Sequence, residues 1–190
     1  EPRLIGTGYE WWFNKWSIPS EVKDAIDCIN KLNQKAVDTI RDTGSNNRGR
    51  LIMCPGYDAS IDGATVSGFK LPTDISGNKN RIALSVHAYS PYNFAMNVGS
   101  DSTSTYTSSI KNELQGLFST LKSNFRDKGI PVVIGEFGST DKNNTAERVK
   151  WATDYTALAK KNNIPCVLWD NNAFAVYNGN NIVLNSEYHG

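Results

Sequence analysis

Three observations predict an α/β fold built on a parallel sheet. Short apolar runs rich in Val, Ile and Leu occur at 51–54, 82–86, 131–134 and 165–169, each bounded by turn residues. They are too short for buried helices and lack polar alternation, the pattern of a strand covered on both faces. Helical spacing appears before the first, third and fourth of these runs, and strands separated by helices read as parallel strands joined by crossovers.

The elements follow in order. Val22, Ile26, Ile29, Ala36, Val37 and Ile40 recur at sums of threes and fours, with Ser20 predicted as N-cap after Pro19 and Gly44 as the stop. After the run at 51–54, the stretch from Tyr57 to Asn80 is rich in Gly, Asp, Ser and Thr without a helical period, so an elaborated loop is expected. Beyond the second run, Ile110, Leu114, Leu117, Phe118, Leu121 and Phe125 mark a helix ending at Gly129. Asn144 and Glu147 then stand three apart, predicting a capping box ahead of Val149, Ala152, Tyr155, Leu158 and Ala159. No repeat, low-complexity tract or linker interrupts residues 1–190, and at roughly 150 residues per domain a single domain is expected.

Composition narrows the function classes. The 20 Lys+Arg against 19 Asp+Glu leave a formal charge of +1, which offers no electrostatic case for nucleic acid or a membrane surface. No run approaches the roughly 18 apolar residues of a membrane span. Five Trp, eight Tyr and seven Phe are more distinctive, with Tyr9, Trp11, Trp12, Phe13 and Trp16 close together; aromatics with a polar edge suit sugars as well as cores. Cys28, Cys54 and Cys166 have no CxxC spacing, which specifies no zinc site or redox motif. The chain starts at Glu1 without a visible signal or transit peptide.

In parallel α/β proteins, chemistry sits beyond the C-terminal ends of the strands. His87 and Tyr89 follow the second run, Glu136 ends the third, and Trp169 ends the fourth. A carboxylate leaving an apolar strand next to Gly135 is expensive unless hydrogen-bonded, which marks Glu136 as a functional candidate. His189, beside the chain end, is expected to be exposed and inert. Walker A, GxGxxG, HExxH and GxSxG signatures are absent. Carboxylate chemistry beside aromatic platforms remains, and two-carboxylate hydrolysis of a glycosidic bond fits it best. No metal and no organic cofactor is implied.

Four stretches carry a family resemblance: Glu1-Pro2-Arg3-Leu4-Ile5-Gly6, Ser85-Val86-His87-Ala88-Tyr89-Ser90-Pro91, Ile134-Gly135-Glu136-Phe137-Gly138 and Leu168-Trp169-Asp170-Asn171. Together and in this order they resemble the later half of a glycoside hydrolase family 5 cellulase. The resemblance implies a (β/α)8 TIM barrel of which this chain covers roughly strands 5 to 8, starting at the end of strand 4. It implies Glu1 as acid/base and Glu136 as nucleophile, with His87, Tyr89 and Trp169 binding substrate. The expected function is a retaining endo-β-1,4-glucanase, its carboxyls about 5 to 5.5 Å apart. The alternatives are a related β-glycanase acting on mannan, xyloglucan or mixed-linkage glucan, and a non-catalytic carbohydrate-binding protein. The expected partners are a β-glucan substrate and the missing N-terminal half of the barrel, the chain being expected to be a segment of a longer enzyme. Secretion is expected for an enzyme of polymers, and Asn143-Asn144-Thr145 is a glycosylation sequon.

Overall fold

Val22, Ile26, Ile29 and Val37 fall on one side of a 3.6-residue spiral, and that stripe is the buried face of helix α1 (Ser20–Asp42) in the computed structural model of the chain. The structure describes residues 1–77, 80–171 and 174; His189 lies outside them. The helix begins one residue earlier than predicted. Pro19 holds the cap position and its carbonyl accepts from the Lys23 N–H at 3.0 Å, so Ser20 is the first helical residue and its hydroxyl turns to the Glu21 carboxylate at 3.1 Å. At the far end Gly44 adopts φ 69, a left-handed turn that glycine makes without strain.

All the apolar runs are strands. The remaining elements are β1 (Ile52–Pro55), α2 (Ile61–Thr65), β2 (Ile82–His87), α3 (Tyr92–Ala95), α4 (Ser108–Asn124), β3 (Val132–Phe137), α5 (Thr145–Lys161) and β4 (Cys166–Leu168). The sheet order is β1-β2-β3-β4. Ile52 pairs with Ile82 and Pro55 with Ser85 in one parallel ladder, and Ile134 pairs with Cys166 in another, as the alternation of elements predicts. The β3–β4 register shifts between Ile134 and Phe137, an irregularity of the kind that re-aims a side chain at the end of a strand. Glu136 lies inside it.

The chain divides into two compact units, Glu1–His87 with Asn124–Val133, and Ala88–Ser123 with Ile134–Gly190. In the first unit, Phe13, Val22, Ile26, Ile29, Tyr57 and Val66 form one apolar cluster, and Val37, Ile52 and Cys54 form another. The stretch from Tyr57 to Asn80 is more structured than a loop, containing a 3-10 turn at Tyr57–Ala59 and helix α2. Five residues are too few to show a helical period, which is why the sequence pattern misses α2. A polar stripe on α1 satisfies the backbone of the rest. Asn30 bonds the Gly68 carbonyl and the Lys70 N–H, and Gln34 does the same for both backbone groups of Thr73. Two turns further along, Arg41 grips Asp74 through Nε at 3.0 Å and Nη2 at 2.8 Å, with little of either side chain exposed.

In the second unit, α4 buries Ile110, Leu114, Phe118 and Leu121, and α5 buries Trp151, Tyr155 and Ala159. Phe137 stacks on Tyr155 with ring centroids 4.5 Å apart and lies 5.9 Å from Trp151. The predicted capping box is not formed. Asn144 holds the N-cap position of α5, but its amide donates to the Ser104 carbonyl at 2.8 Å, and Glu147 accepts from the Tyr106 N–H at 2.7 Å. The pair ties the helix start to a distant segment whose backbone groups need partners.

Candidate active site

The rim residues fall into a group in each unit. In the first, Glu1 precedes all regular structure and is fixed by its neighbours. Its Oε1 lies 2.7 Å from His87 Nδ1 at the end of β2, and Arg3 Nη1 donates to its Oε2 at 3.3 Å. The Glu1–His87 bond suits both states of a carboxyl that must lose and regain a proton: the imidazole N–H donates to a carboxylate, and the other tautomer accepts from an acid. Arg3 also bonds Glu10 at 3.3 Å, and its guanidinium lies 3.7 Å over the Trp11 ring. Trp11, Trp12 and Trp16 are exposed.

The segment carrying Glu1 is anchored by the turn after β1. The Asp58 N–H donates to the Pro2 carbonyl at 2.8 Å. The buried Tyr57 hydroxyl accepts from the Leu4 N–H at 3.1 Å and donates to the Tyr9 carbonyl at 2.6 Å. Asp58 itself is raised to about 6, first by burial and next by the negative charge of Glu1, while Arg3 and His87 oppose the shift. Sequence reasoning gives no role to Tyr57 or Asp58. They lie beyond β1, the strand end at which no acid follows the apolar run directly, and the signal available is the Gly56-Tyr57-Asp58 turn itself.

In the second unit, Tyr89 donates its phenol to Glu136 Oε2 at 2.6 Å. The length marks a charge-assisted bond to a carboxylate. The loop that carries Tyr89 is pinned from α5, because Tyr155 bonds the Ala88 carbonyl at 3.0 Å and Trp151 Nε1 bonds the Ser90 carbonyl at 2.9 Å. The Tyr89 ring also lies 5.5 Å from the Phe174 ring. Trp169 continues from β4 with its N–H on the Phe137 carbonyl at 2.8 Å, and its side chain remains partly exposed. Gly138 permits this arrangement: a Cβ there would stand 2.9 Å from the Phe174 ring and 3.3 Å from the Trp169 carbonyl oxygen.

The structure therefore joins Glu1 to His87 and Glu136 to Tyr89 as hydrogen-bonded pairs, and leaves Trp169 partly exposed. Paired carboxyls with aromatic neighbours can carry out acid/base and nucleophilic chemistry on a glycosidic bond.

The chain is similar to known proteins over nearly its whole length. The family described as cellulase (glycosyl hydrolase family 5) matches residues 1–175. Endoglucanase A of Clostridium longisporum is 47% identical over 173 residues, covering 90% of this chain and 31% of that protein. Endoglucanase 1 of Ruminococcus albus is 40% identical over 185 residues, covering 97% of this chain and 41% of its own length. Among solved structures, a glycoside hydrolase 5 lichenase variant from Caldicellulosiruptor sp. F32 in complex with cellotetraose superposes with a TM-score of 0.92 at 40% identity, over 99% of this chain and 53% of its own. A GH5-4 broad specificity endoglucanase from Ruminococcus champanellensis with bound cellotriose gives 0.86 at 40% identity, over 99% and 54%. The chain thus spans about half of these structures and less than half of the two endoglucanases.

Proposed function

The chain belongs to glycosyl hydrolase family 5, the cellulase family, and its parallel strands are part of a (β/α)8 barrel; on that premise we propose that the whole protein is a secreted endo-β-1,4-glucanase working by retaining double displacement. The observation that carries the reading is the 2.6 Å bond from the Tyr89 phenol to Glu136. It fixes the orientation of the carboxylate that serves as the nucleophile.

In the first step Glu136 attacks the anomeric carbon, the bond to the departing sugar oxygen breaks, and Glu1 gives that oxygen its proton. In the second, Glu1 takes a proton from water, the resulting hydroxide attacks the same carbon, and Glu136 is released. His87 keeps Glu1 oriented through both changes of charge, and Trp169 offers its ring to a sugar face. The barrel strands that complete this site belong to the rest of the protein. The endoglucanase relatives and the cellotriose and cellotetraose complexes among the structural neighbours support a β-glucan substrate. Secretion follows from a substrate too large to enter a cell, and exposed Asn143 suits a sequon.

Glu136→Gln in the whole protein tests the reading on a soluble cellulose derivative. Hydrolysis is expected to vanish, and activity within about tenfold of the parent overturns the assignment. A second reading is favoured by one observation, the lichenase at a TM-score of 0.92: mixed-linkage β-glucan as the preferred polymer. Comparing kcat/KM on mixed-linkage glucan and on the cellulose derivative decides between them.

A further inference from the structure

Asp58 is a half-buried acid that the two-step mechanism does not use. Its Oδ1 is buried and has no hydrogen-bond partner among the described residues. Buried polar atoms of folded proteins are nearly always satisfied, so an orphan of this kind asks for a functional account. Its backbone is unusual as well. Asp58 at φ 57 and Ala59 at φ 49 are consecutive non-glycine residues in the left-handed region, a conformation that persists only where the surroundings impose it. Here two glycines permit the close backbone packing around it. A Cβ on Gly63 would lie 1.9 Å from the Tyr57 carbonyl oxygen, and one on Gly56 would lie 2.7 Å from the Gly63 carbonyl oxygen. The turn that results bonds Pro2 through the Asp58 N–H and Leu4 and Tyr9 through the Tyr57 hydroxyl.

We propose that Asp58 is a positioning residue for the acid/base Glu1: its turn holds the chain segment that carries Glu1 through the bond to Pro2, the next residue in the chain, and its carboxyl on that turn governs the pH range over which the enzyme works. This rests on the reading of Glu1 as the acid. The titratable groups facing Asp58 are Glu1, Arg3 and the Tyr57 phenol from the segment and the turn, and His87 from β2. Glu1's charge is the second cause of the raised Asp58 value, after burial, and it acts against Arg3 and His87. Coupling between two carboxyls is mutual. Ionisation of Asp58 around pH 6 therefore adds a negative charge that acts on Glu1 in the range where the acid has to keep its proton. The orphaned oxygen fits this task, since a donor there would favour the charged form at lower pH.

The variant that separates charge from shape is Asp58→Asn, because asparagine is isosteric and tolerates the left-handed conformation. In the whole protein, the alkaline limb of kcat/KM against pH is expected to move to lower pH by about half a unit or more, with the fold retained by circular dichroism. Superimposable profiles overturn the proposal. A readout independent of turnover is the carboxyl 13C titration of Asp58, whose signal is identified by its loss in Asp58→Asn. A midpoint near 6 that falls in Glu1→Gln is expected. A midpoint of about 4 or below, or one indifferent to Glu1→Gln, overturns the proposal even where Asp58→Asn does not fold. If the protein hydrolyses no β-glucan while Asp58 still responds to Glu1→Gln, the fault lies with the proposed function and the coupling stands.

Discussion

The carboxyls of Glu1 and Glu136 are held in opposite ways. Glu136 sits on a six-residue strand next to Phe137, which is packed into the buried rings of Trp151 and Tyr155, and it receives a short bond from a phenol whose loop those same residues pin. Glu1 sits on irregular chain, meets an imidazole and a guanidinium, and depends on a strained turn for its place. The difference matches the work proposed for each. A nucleophile needs one geometry held by a neighbour that does not titrate near neutral pH, whereas an acid/base changes charge twice per turnover and gains from neighbours that respond to charge. Lesions on the two sides should therefore read out differently.

The largest effect is expected from a lesion of the scaffold in the unit that carries Glu1. Asp74→Asn leaves the Arg41 guanidinium buried without its counter-charge, which should cost about 3 to 5 kcal/mol of stability in the whole protein. Chemical denaturation measures it. The pair also sets an acid limit. Arg41 first, then the Ser76 hydroxyl and N–H, hold the Asp74 carboxyl well below the usual carboxylate range against the opposing effect of burial. A lowered folded value means that the contribution is fully present above about pH 4, the unfolded value, and is lost as pH falls toward the folded one. The parent should lose stability over that acid range, and the part due to this pair should be missing from Asp74→Asn.

Next in size is Tyr89→Phe, on the other side of the comparison. It removes one charge-assisted bond to Glu136 without emptying the ring's place against Phe174, and a loss of about 10- to 100-fold in kcat is expected. An aryl cellobioside with a good leaving group needs little help from an acid but still needs the nucleophile. Both that substrate and the polymer should therefore suffer alike from Tyr89→Phe. A loss confined to the polymer would assign Tyr89 to the acid side.

How much of this was legible differs between the two sides for a physical reason. Glu136, His87, Tyr89 and Trp169 follow apolar strands, and a polar group leaving such a run is conspicuous. Asp58 follows a run too, yet it is separated from it by Pro55-Gly56-Tyr57 and enters a stretch whose order comes from Asn30, Gln34 and Arg41 on α1 rather than from its own periodicity. The Asn144 and Glu147 pair shows the reverse error. Its spacing is a local signal, but distant Ser104 and Tyr106 backbone groups claim both side chains. The long helices and the strands are periodic and could be read directly; interactions that span forty residues leave no pattern in a short window.

A smaller effect is expected at Gly138, where the strand end, Phe174 and the Trp169 backbone leave no room for a methyl group. Gly138→Ala should cost about 1 to 3 kcal/mol through displacement of the Phe174 ring, and it should raise KM more than it lowers kcat if Trp169 serves binding. A change confined to kcat would mean that the shift reaches Glu136 instead.

The smallest effect, and the sharpest for the comparison, is expected from Trp11→Ala. Its ring is exposed and lies under the Arg3 guanidinium at 3.7 Å, while the same guanidinium bonds Glu1. An exposed cation–π contact is worth about 0.5 to 1 kcal/mol, which corresponds to roughly two- to fivefold in rate if all of it serves the placement of Arg3. Folding stability should hardly change, since little of the ring is buried. The expected signature is a two- to fivefold loss of kcat/KM on the polymer, with the aryl cellobioside nearly unaffected, because looser placement of Glu1 matters only where the departing oxygen needs a proton. Trp11→Phe keeps a ring under Arg3 and should restore most of the loss. Equal losses on both substrates would instead make Trp11 a sugar platform, moving it from the support of the acid to the binding of the chain.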